Sequence, residues 1–525
     1  MNKKHLEATL ILLVLMIITK ASTNAQDIAT LTEITLNDDQ IVINGVGASA
    51  DSRILRITEP GTYQLSGTLT EGQILVHAEG AVTLILDHVA ISAAQAPPIQ
   101  IQNAQSATIT LSEGSSNTLH YTFNDDEDIP NAALFSEADL TLNGNGELLI
   151  EAIAGDGIHS ETSITIQDAP TLNINAGDDA IQAETQLMIN GGTFHLITAG
   201  GIYGTPDDDL SAKGLKSDAD ILINGGDFII DALDDAIHAD QNTTINGGTF
   251  TLSALGKAVN VEYTLLINGG DITILTSDEG LEAGFITIND GYIHITAIDD
   301  GINISEPDDI PNTSLYYLYI HGGVIVINAE GDGIDSNGSI EMTGGLVIVN
   351  GPTQNADGAI DYDGIFDIHG GTLIAVGSAG MPAAPGDGSS QHSVLVNLEE
   401  TLPARTLINL QSAEGESLLT FAPTKPYQSI VFSSPALQEG QPYQLYYGGQ
   451  VEGEATDGLY ADGPYTTGTE YASFTISGAL TQVGEMRWFR GWGGELGGPP
   501  TEGRGPRGDN PPGQNQPPRG PGGNN

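Results

Sequence analysis

The chain has 525 residues, 69 acidic against 15 basic side chains for a formal net charge of −54, 67 glycines and no cysteine. A field of that sign repels a phosphate backbone and excludes nucleic acid as a partner, while cations, and anions held through cations, remain natural ones. Without cysteine there is no disulfide framework, so stability has to come from stacking or from bound metal.

Lys3 and Lys4, the apolar run from Leu10 to Ile18 and the small residues from Ala21 to Ala25 predict a secretory signal peptide over 1–25, and hence an extracellular or cell-surface protein. An uncleaved anchor is the alternative, although the run is short for a membrane span, and no insertion is expected once the signal is removed. Beyond it helical periodicity is absent. Alternating apolar and polar residues in Tyr63 to Leu69, Ile74 to His77, Val82 to Leu86, Thr108 to Leu111 and Leu140 to Leu142 predict short strands from about residue 31 onward.

A Gly-Gly turn then recurs, its final glycine at 192, 226, 248, 270, 291, 323, 345 and 371, with Asp290-Gly291 standing for Gly-Gly once, in steps of 34, 22, 22, 21, 32, 22 and 26 residues. A period near 22 marks stacked solenoid coils. The repeat ILINGGDFIIDALDDAIHADQN (221–242) holds three short strands bounded by turn residues, which describes an all-β fold, a parallel β-helix over 31–392. The glycines are read as turn formers that need positive φ. Over 393–485 the turn disappears and strands lengthen, predicting a β-rich cap or small domain, and the Gly/Pro-rich tail over 491–525 has no core-forming residues.

Aligning coils on the apolar residue that opens the third strand places Asp156, Asp179, Lys213, Asp235, Lys257, Glu279, Asp300 and Asp332 in one column, expected to face outward. Asp178, Asp234, Asp278 and Asp299 precede it, and Glu161, Glu184, Asp218, Asp240 and Glu262 form a second row. Two carboxylates about 5 Å apart repel by roughly 3 kcal/mol at an effective dielectric of about 20, so such rows call for a cation. Calcium is the expected cofactor, because it takes six to eight oxygens in irregular geometry, and the metal candidates are Asp156, Asp178, Asp179, Asp234, Asp235, Asp278, Glu279, Asp299, Asp300 and Asp332. Acidic inserts at Asp125 to Asn131, Asp207 to Asp209 and Asp308 to Asn312 are further candidates, with solvated surface charge as the alternative. Lys213, Lys216 and Lys257 fall on or beside the column. They either neutralise it or, for Lys213 and Lys216, supply the base of a β-elimination, although a lysine among acids has its pKa raised where a base needs it lowered. Tyr203, Tyr292, Tyr316, Tyr317, Tyr319 and Tyr362 are the aromatic faces that could stack on sugar rings, with Lys257 as a further contact.

GTYQLSGTLTEGQILV (61–76), FNDDEDIPNAALFS (123–136), GDGIHS (155–160), the INGG turns with their DD-(A/G)-I partners and FAPTKPYQSIVFSSP (421–435) together resemble the secreted bacterial carbohydrate-binding domain family over about 31–485. The resemblance implies a right-handed parallel β-helix, similar to family 9 pectate lyases, that binds calcium and acidic or cellulosic polysaccharide. In those lyases aspartates on consecutive coils hold calcium and a lysine one coil further is the base, an order that Asp156, Asp178, Asp179 and then Lys213 or Lys216 follow here. Three readings stand: a monomeric calcium-dependent binder of polyuronate or plant-cell-wall glycan, a pectate lyase, and a surface adhesin whose calcium only stabilises coils.

Overall fold

A computed structural model describes residues 31–122, 129–207, 210–307, 316–461 and 463–485. The signal peptide over 1–25, the tail over 491–525, Asp125 to Asp128, Asp208, Asp209 and Asp308 to Asn312 lie outside the described residues. Those described form strands and turns with one 3-10 turn, Gly201–Tyr203, and no α-helix. The chain divides into two units, Met1–Ser277 and Asp278–Asn525.

In the first unit the coils stack into three parallel sheets, one strand segment per sheet from each coil, with some long strands such as Val259–Ile267 running through two of them. The first sheet stacks Asp156–Ser160, Ile181–Ala183, Leu215–Ser217, Ile237–Ala239 and the start of Val259–Ile267. The second stacks Ser163–Ile166, Gln186–Ile189, Asp220–Ile223 and Asn242–Ile245. The third stacks Thr171–Ala176, Thr193–Thr198, Asp227–Ala232, Thr249–Ala254 and Asp271–Thr276. The parallel β-helix read from the period is therefore present. Its first coil is closed by antiparallel pairing: Val42–Asn44 lies on Thr32–Leu36, and Ala48–Asp51 lies on Ile54–Ile57. Those two short strands cover a row of backbone groups that would otherwise be an open edge.

Alternation drives the packing, since every second residue of a strand points inward. Leu187, Ile221 and Ile245 are buried on one sheet and Phe194, Phe228 and Phe250 on another. The three phenylalanines stack face to face, with centroids 4.6 Å apart and planes within 7°. Between the second and third sheets the Gly-Gly turn repeats its own geometry. Gly192, Gly226, Gly248 and Gly270 have φ between 113° and 126°, where a side chain is strained. A Cβ on Gly248 would also lie 2.9 Å from the carbonyl oxygen of Gly226 one coil back. The preceding asparagines form a ladder, in which Asn224, Asn246 and Asn268 each donate to the carbonyl of the asparagine one coil back at 2.7–2.8 Å.

The second unit continues the same pattern within itself: Tyr292–Ala297, Val324–Ala329, Leu346–Asn350 and Thr372–Gly377 stack in parallel. Here the strands read VIVINA, LVIVN and TLIAVG, apolar on both faces. Continuous apolar runs belong to strands covered on both sides. The outer side chains Val326, Ile348, Ile374 and Val376 share a core with Val394, Phe421, Ile430 and Phe432 of the C-terminal part. That part extends the sheet through Tyr427–Ser433, which pairs antiparallel with Thr372–Gly377, and then Ser393–Leu402. A four-stranded antiparallel sheet is formed by Ser417–Phe421, Ile408–Ser412, Pro442–Tyr447 and Thr469–Thr475.

Phe228→Ala removes the middle ring of the three-ring stack and is expected to cost about 3–5 kcal/mol, read as a lower denaturant midpoint of the full chain. Phe228→Leu, which keeps most of the volume, should fall between it and the parent. Equal midpoints for Phe228→Ala and the parent would show that the stack contributes nothing to stability.

Candidate functional site

The acid column lies in the turn that leads from the third sheet to the first. Its register is set by the strand that follows: Ile158, Ile181, Leu215, Ile237 and Val259 superpose coil by coil, which places Asp156, Asp179, Lys213, Asp235 and Lys257 above one another. The column was expected to face outward, and the structure corrects this: Asp156, Asp179 and Asp235 are 6%, 1% and 3% exposed. They turn inward because one oxygen of each accepts the backbone N–H at the same position of the next coil. Asp156 accepts from Asp179 at 3.1 Å, Asp179 from Lys213 at 2.7 Å and Asp235 from Lys257 at 2.7 Å. In the second unit Asp300 accepts from Asp332 at 2.6 Å, and Asp332 from Gly358 at 2.5 Å. A buried carboxylate needs such donors, since leaving it unpaired costs several kcal/mol, on the order of 3–5. The exposed row is the second one, Glu161, Glu184, Asp218 and Asp240.

The remaining oxygens meet a column of donors, of which sequence reasoning found only Lys216. The outward residues of the first sheet are His159, Gln182, Lys216, His238 and Asn260, aligned coil on coil. His159 Nδ1 lies 3.1 Å from Asp156 Oδ2, Lys216 Nζ 3.1 Å from Asp179 Oδ2, and His238 Nδ1 2.9 Å from Asp235 Oδ2. Asn260 Nδ2 donates to that same Asp235 oxygen at 2.9 Å. The signal was legible as Asp156-Gly157-Ile158-His159 and Asp235-Ala236-Ile237-His238, an acid and a histidine three residues apart. Burial would lower both histidines, yet their aspartates outweigh it and raise them.

Asp156, Asp178 and Asp179 bring one oxygen each within 4.8 Å of one another. Burial first, and Asp179 and Asp178 after it, push Asp156 up to about 6 against the His159 hydrogen bond. Asp178 is raised by burial and by Asp179, and its Oδ1 accepts from Ala212 N at 2.8 Å. Asp235 responds in the opposite sense: burial raises it, but His238, Asn260 and Lys213 prevail and hold it low. Two buried aspartates at equivalent positions thus differ because one has acids for neighbours and the other cations and amides.

The two lysines separate. Lys216 sits on the Asp156/Asp178/Asp179 group, and although burial would lower it, Asp179 raises it overall. Lys213 turns to the next coil and pairs with Asp234 at 2.5 Å; this places it away from the three acids, and Asp234 is neutralised by an ammonium. Asp235 is likewise engaged by His238, Asn260 and the Lys257 amide, so the Asp234/Asp235 pair joins no group of three acids among the described residues. In the second unit the acids that converge within 4.8 Å are Asp332, Asp335 and Asp361. Asp278, Glu279, Asp299 and Asp300 are not members of that group. Asp335 and Asp361 were not anticipated; they stand on or just after the strand position three residues beyond the column. Burial, with Asp299, Asp335 and Asp357, pushes Asp300 up to about 7, and burial, with Asp300, Asp335 and Asp361, pushes Asp332 up to about 7.

The tyrosines named as candidate stacking faces divide: Tyr203 and Tyr292 are 89% and 37% exposed, while the others are engaged within the protein to different degrees. Tyr316 is 1% exposed, a core side chain with no face for a sugar. Tyr362 is half-buried, donates its hydroxyl to Ala384 O at 2.9 Å and meets Phe366 edge to face. Tyr317 lies parallel to Tyr319, centroids 4.9 Å apart, and Tyr319 is stacked in turn with His321, so the Tyr319 ring is covered on both faces and Tyr317 on one.

Because Asp300 and Asp332 keep a proton up to about 7 when folded, whereas their ordinary value is 3.8, the folded chain binds more protons over that interval and stability falls as pH rises through it. In chelator the melting temperature is expected to be higher at about pH 5 than at about pH 8. The double substitution Asp300→Asn, Asp332→Asn should reduce that difference; an unchanged difference would assign the pH dependence to other groups.

A family profile described as carbohydrate-binding domain-containing protein matches residues 51–171, 166–258 and 253–381. A protein of the same description from Acetivibrio thermocellus is 37% identical over 142 residues, 26% of this chain and 50% of the relative. The chain thus spans about half the length of the curated relative it matches. It is also similar to a solved structure, the polysaccharide lyase-like protein from C. thermocellum in its gadolinium derivative, at 30% identity and a TM-score of 0.41, over 45% of this chain and 97% of that one. The profile matches run through more than half of the chain and include the coils of both acid groups, and on that ground the chain belongs to the carbohydrate-binding domain-containing protein family.

Proposed function

We propose that this carbohydrate-binding protein is a secreted, noncatalytic, monomeric module that captures an acidic polysaccharide, a polyuronate or plant-cell-wall glycan, through calcium. The observation that carries the reading is the group Asp156, Asp178 and Asp179, three carboxylates whose oxygens approach within 4.8 Å. The donor set fits a hard cation: all oxygen, two of its members, Asp156 and Asp178, raised by burial and then by Asp179, without the thiolates or clustered imidazoles that zinc prefers. A divalent ion at these residues would relieve the repulsion and offer remaining coordination positions to sugar carboxylates. Asp332, Asp335 and Asp361 have the same character and are assigned as a second holding group. Export rests on the signal-peptide pattern of residues 1–25.

One observation favours a second reading, a lyase. Lys216 follows Asp178 and Asp179 one coil on, with its ammonium 3.1 Å from Asp179. Its raised pKa opposes that role, since a protonated lysine takes no proton from a sugar carbon.

Incubating the mature chain with insoluble polygalacturonate and calcium, while following the ultraviolet absorbance of the unsaturated elimination product, tests both. Capture that a chelator reverses, with flat absorbance, is the expected result, and Asp178→Asn should weaken capture by about tenfold, the effect of losing one ionised ligand. Rising absorbance abolished by Lys216→Ala would make the protein a lyase. A melting temperature that falls with chelator, with no capture at all, would leave calcium as a stabiliser of an adhesin.

A further inference from the structure

The C-terminal part of the second unit holds an open cavity of about 620 Å³ lined by Arg405, Thr424, Gln450, Gly458 and Tyr460 among others. We infer that it binds the carboxylate of a single acidic sugar residue through Arg405, without metal.

Cations are scarce in this chain, and those of Arg53, Lys213, Lys216 and Lys425 lie within ion-pair distance of Asp38, Asp234, Asp179 and Glu330. Arg56, on the strand Ile54–Ile57, has no such pair among the described residues either, but it does not line this cavity, whereas Arg405 does. Arg405 is exposed and pairs with no acid among the described residues. A guanidinium presents parallel N–H donors that match a carboxylate bidentately. Its backbone has φ 64°, left-handed for a residue with a Cβ, and is held there by its N–H donating to Pro423 O at 2.7 Å. Strain of this kind persists only where the surroundings enforce it, and it gathers at binding sites.

The walls are braced as well. Thr424 N donates to Asn350 Oδ1 at 2.9 Å, and Lys425 beside it bonds to Ala329 O and Glu330. Asp457, next to the lining residue Gly458, accepts from the Tyr292 hydroxyl at 3.0 Å and lies 2.8 Å from His294 Nε2. The adjoining Gly458, at φ 82°, runs so near the chain that a Cβ would lie 2.5 Å from Ala422 O. The rim carrying Tyr460 is thereby fixed to the coils, and Tyr460 and Gln450 supply an aromatic face and an amide for a sugar ring and its hydroxyls.

That the sugar is acidic rests on the polyuronate reading proposed above, but the pocket needs no calcium, which lets the two be tested apart. The full chain is titrated with short galacturonate oligomers and with their carboxyl-reduced galactose counterparts, in excess calcium and in excess chelator. The acidic oligomer is expected to bind in chelator and the reduced one not. Arg405→Gln should weaken chelator-resistant binding by about tenfold or more and leave calcium-dependent capture intact. Arg405→Gly removes the charge and relieves the left-handed strain, so lost binding with an undiminished melting temperature cannot be a folding defect. Equal binding by the parent and both variants, equal binding of the reduced oligomer, or no binding in chelator would overturn the pocket. Binding in chelator that depends on Arg405, with no calcium-dependent capture, would uphold the pocket and overturn the calcium reading.

Discussion

Stacking identical turns about 4.8 Å apart places every side chain beside its own counterpart, and that constraint governs the rest of the structure. Apolar and amide side chains gain from it, as the Phe194, Phe228 and Phe250 stack and the Asn190 to Asn268 ladder illustrate. Carboxylates suffer from it. The protein meets the difficulty by turning the acid inward to receive the amide of the next coil, so that the charge which would push coils apart holds them in register.

The two units carry the residual charge differently. In the first, His159, Lys216 and His238 stand directly against Asp156, Asp179 and Asp235, and Lys213 against Asp234. In the second, Asp332, Asp335 and Asp361 gather, with Asp300 one coil before them, and the positions aligned with the donor column carry no lysine or histidine but Glu282, Asn303 and Asp335. Asp300 and Asp332 show the result in their affinity for protons, both raised to about 7. Surplus negative charge of this kind is the physical demand that a divalent ion would meet.

Much of this was legible in the sequence because a solenoid writes its geometry as a period. The Gly-Gly marker located coils, and alignment on one apolar position brought Asp156, Asp179, Lys213, Asp235 and Lys257 into a true column. What the period could not reveal was direction: nothing in the spacing distinguishes an exposed carboxylate from one folded onto the next backbone amide. Nor could it separate Lys213 from Lys216, since three residues along a turn send one ammonium to the following coil and the other to the preceding one. His159 and His238 were overlooked although the acid-x-x-His spacing repeats, because the column was read for acids and lysines alone and not for other partners of aspartate. Tyr316 failed as a surface residue because strand parity at the end of an insert is not fixed by the 22-residue period.

The runs VIVINA, LVIVN and TLIAVG carry a consequence for how such a chain can change over evolutionary time. Coils of the first unit with polar outer residues, such as Thr249, Thr251 and Ser253, resemble interchangeable modules: gaining or losing one whole copy adds or removes a length of solenoid and leaves its flanks compatible. Coils whose outer valines and isoleucines interlock with the C-terminal sheet have no such freedom, because each is fitted to a particular partner strand. A whole copy could therefore be gained or lost with least disturbance among the polar coils, lengthening or shortening the solenoid there while the strands fitted to the C-terminal sheet keep their partners.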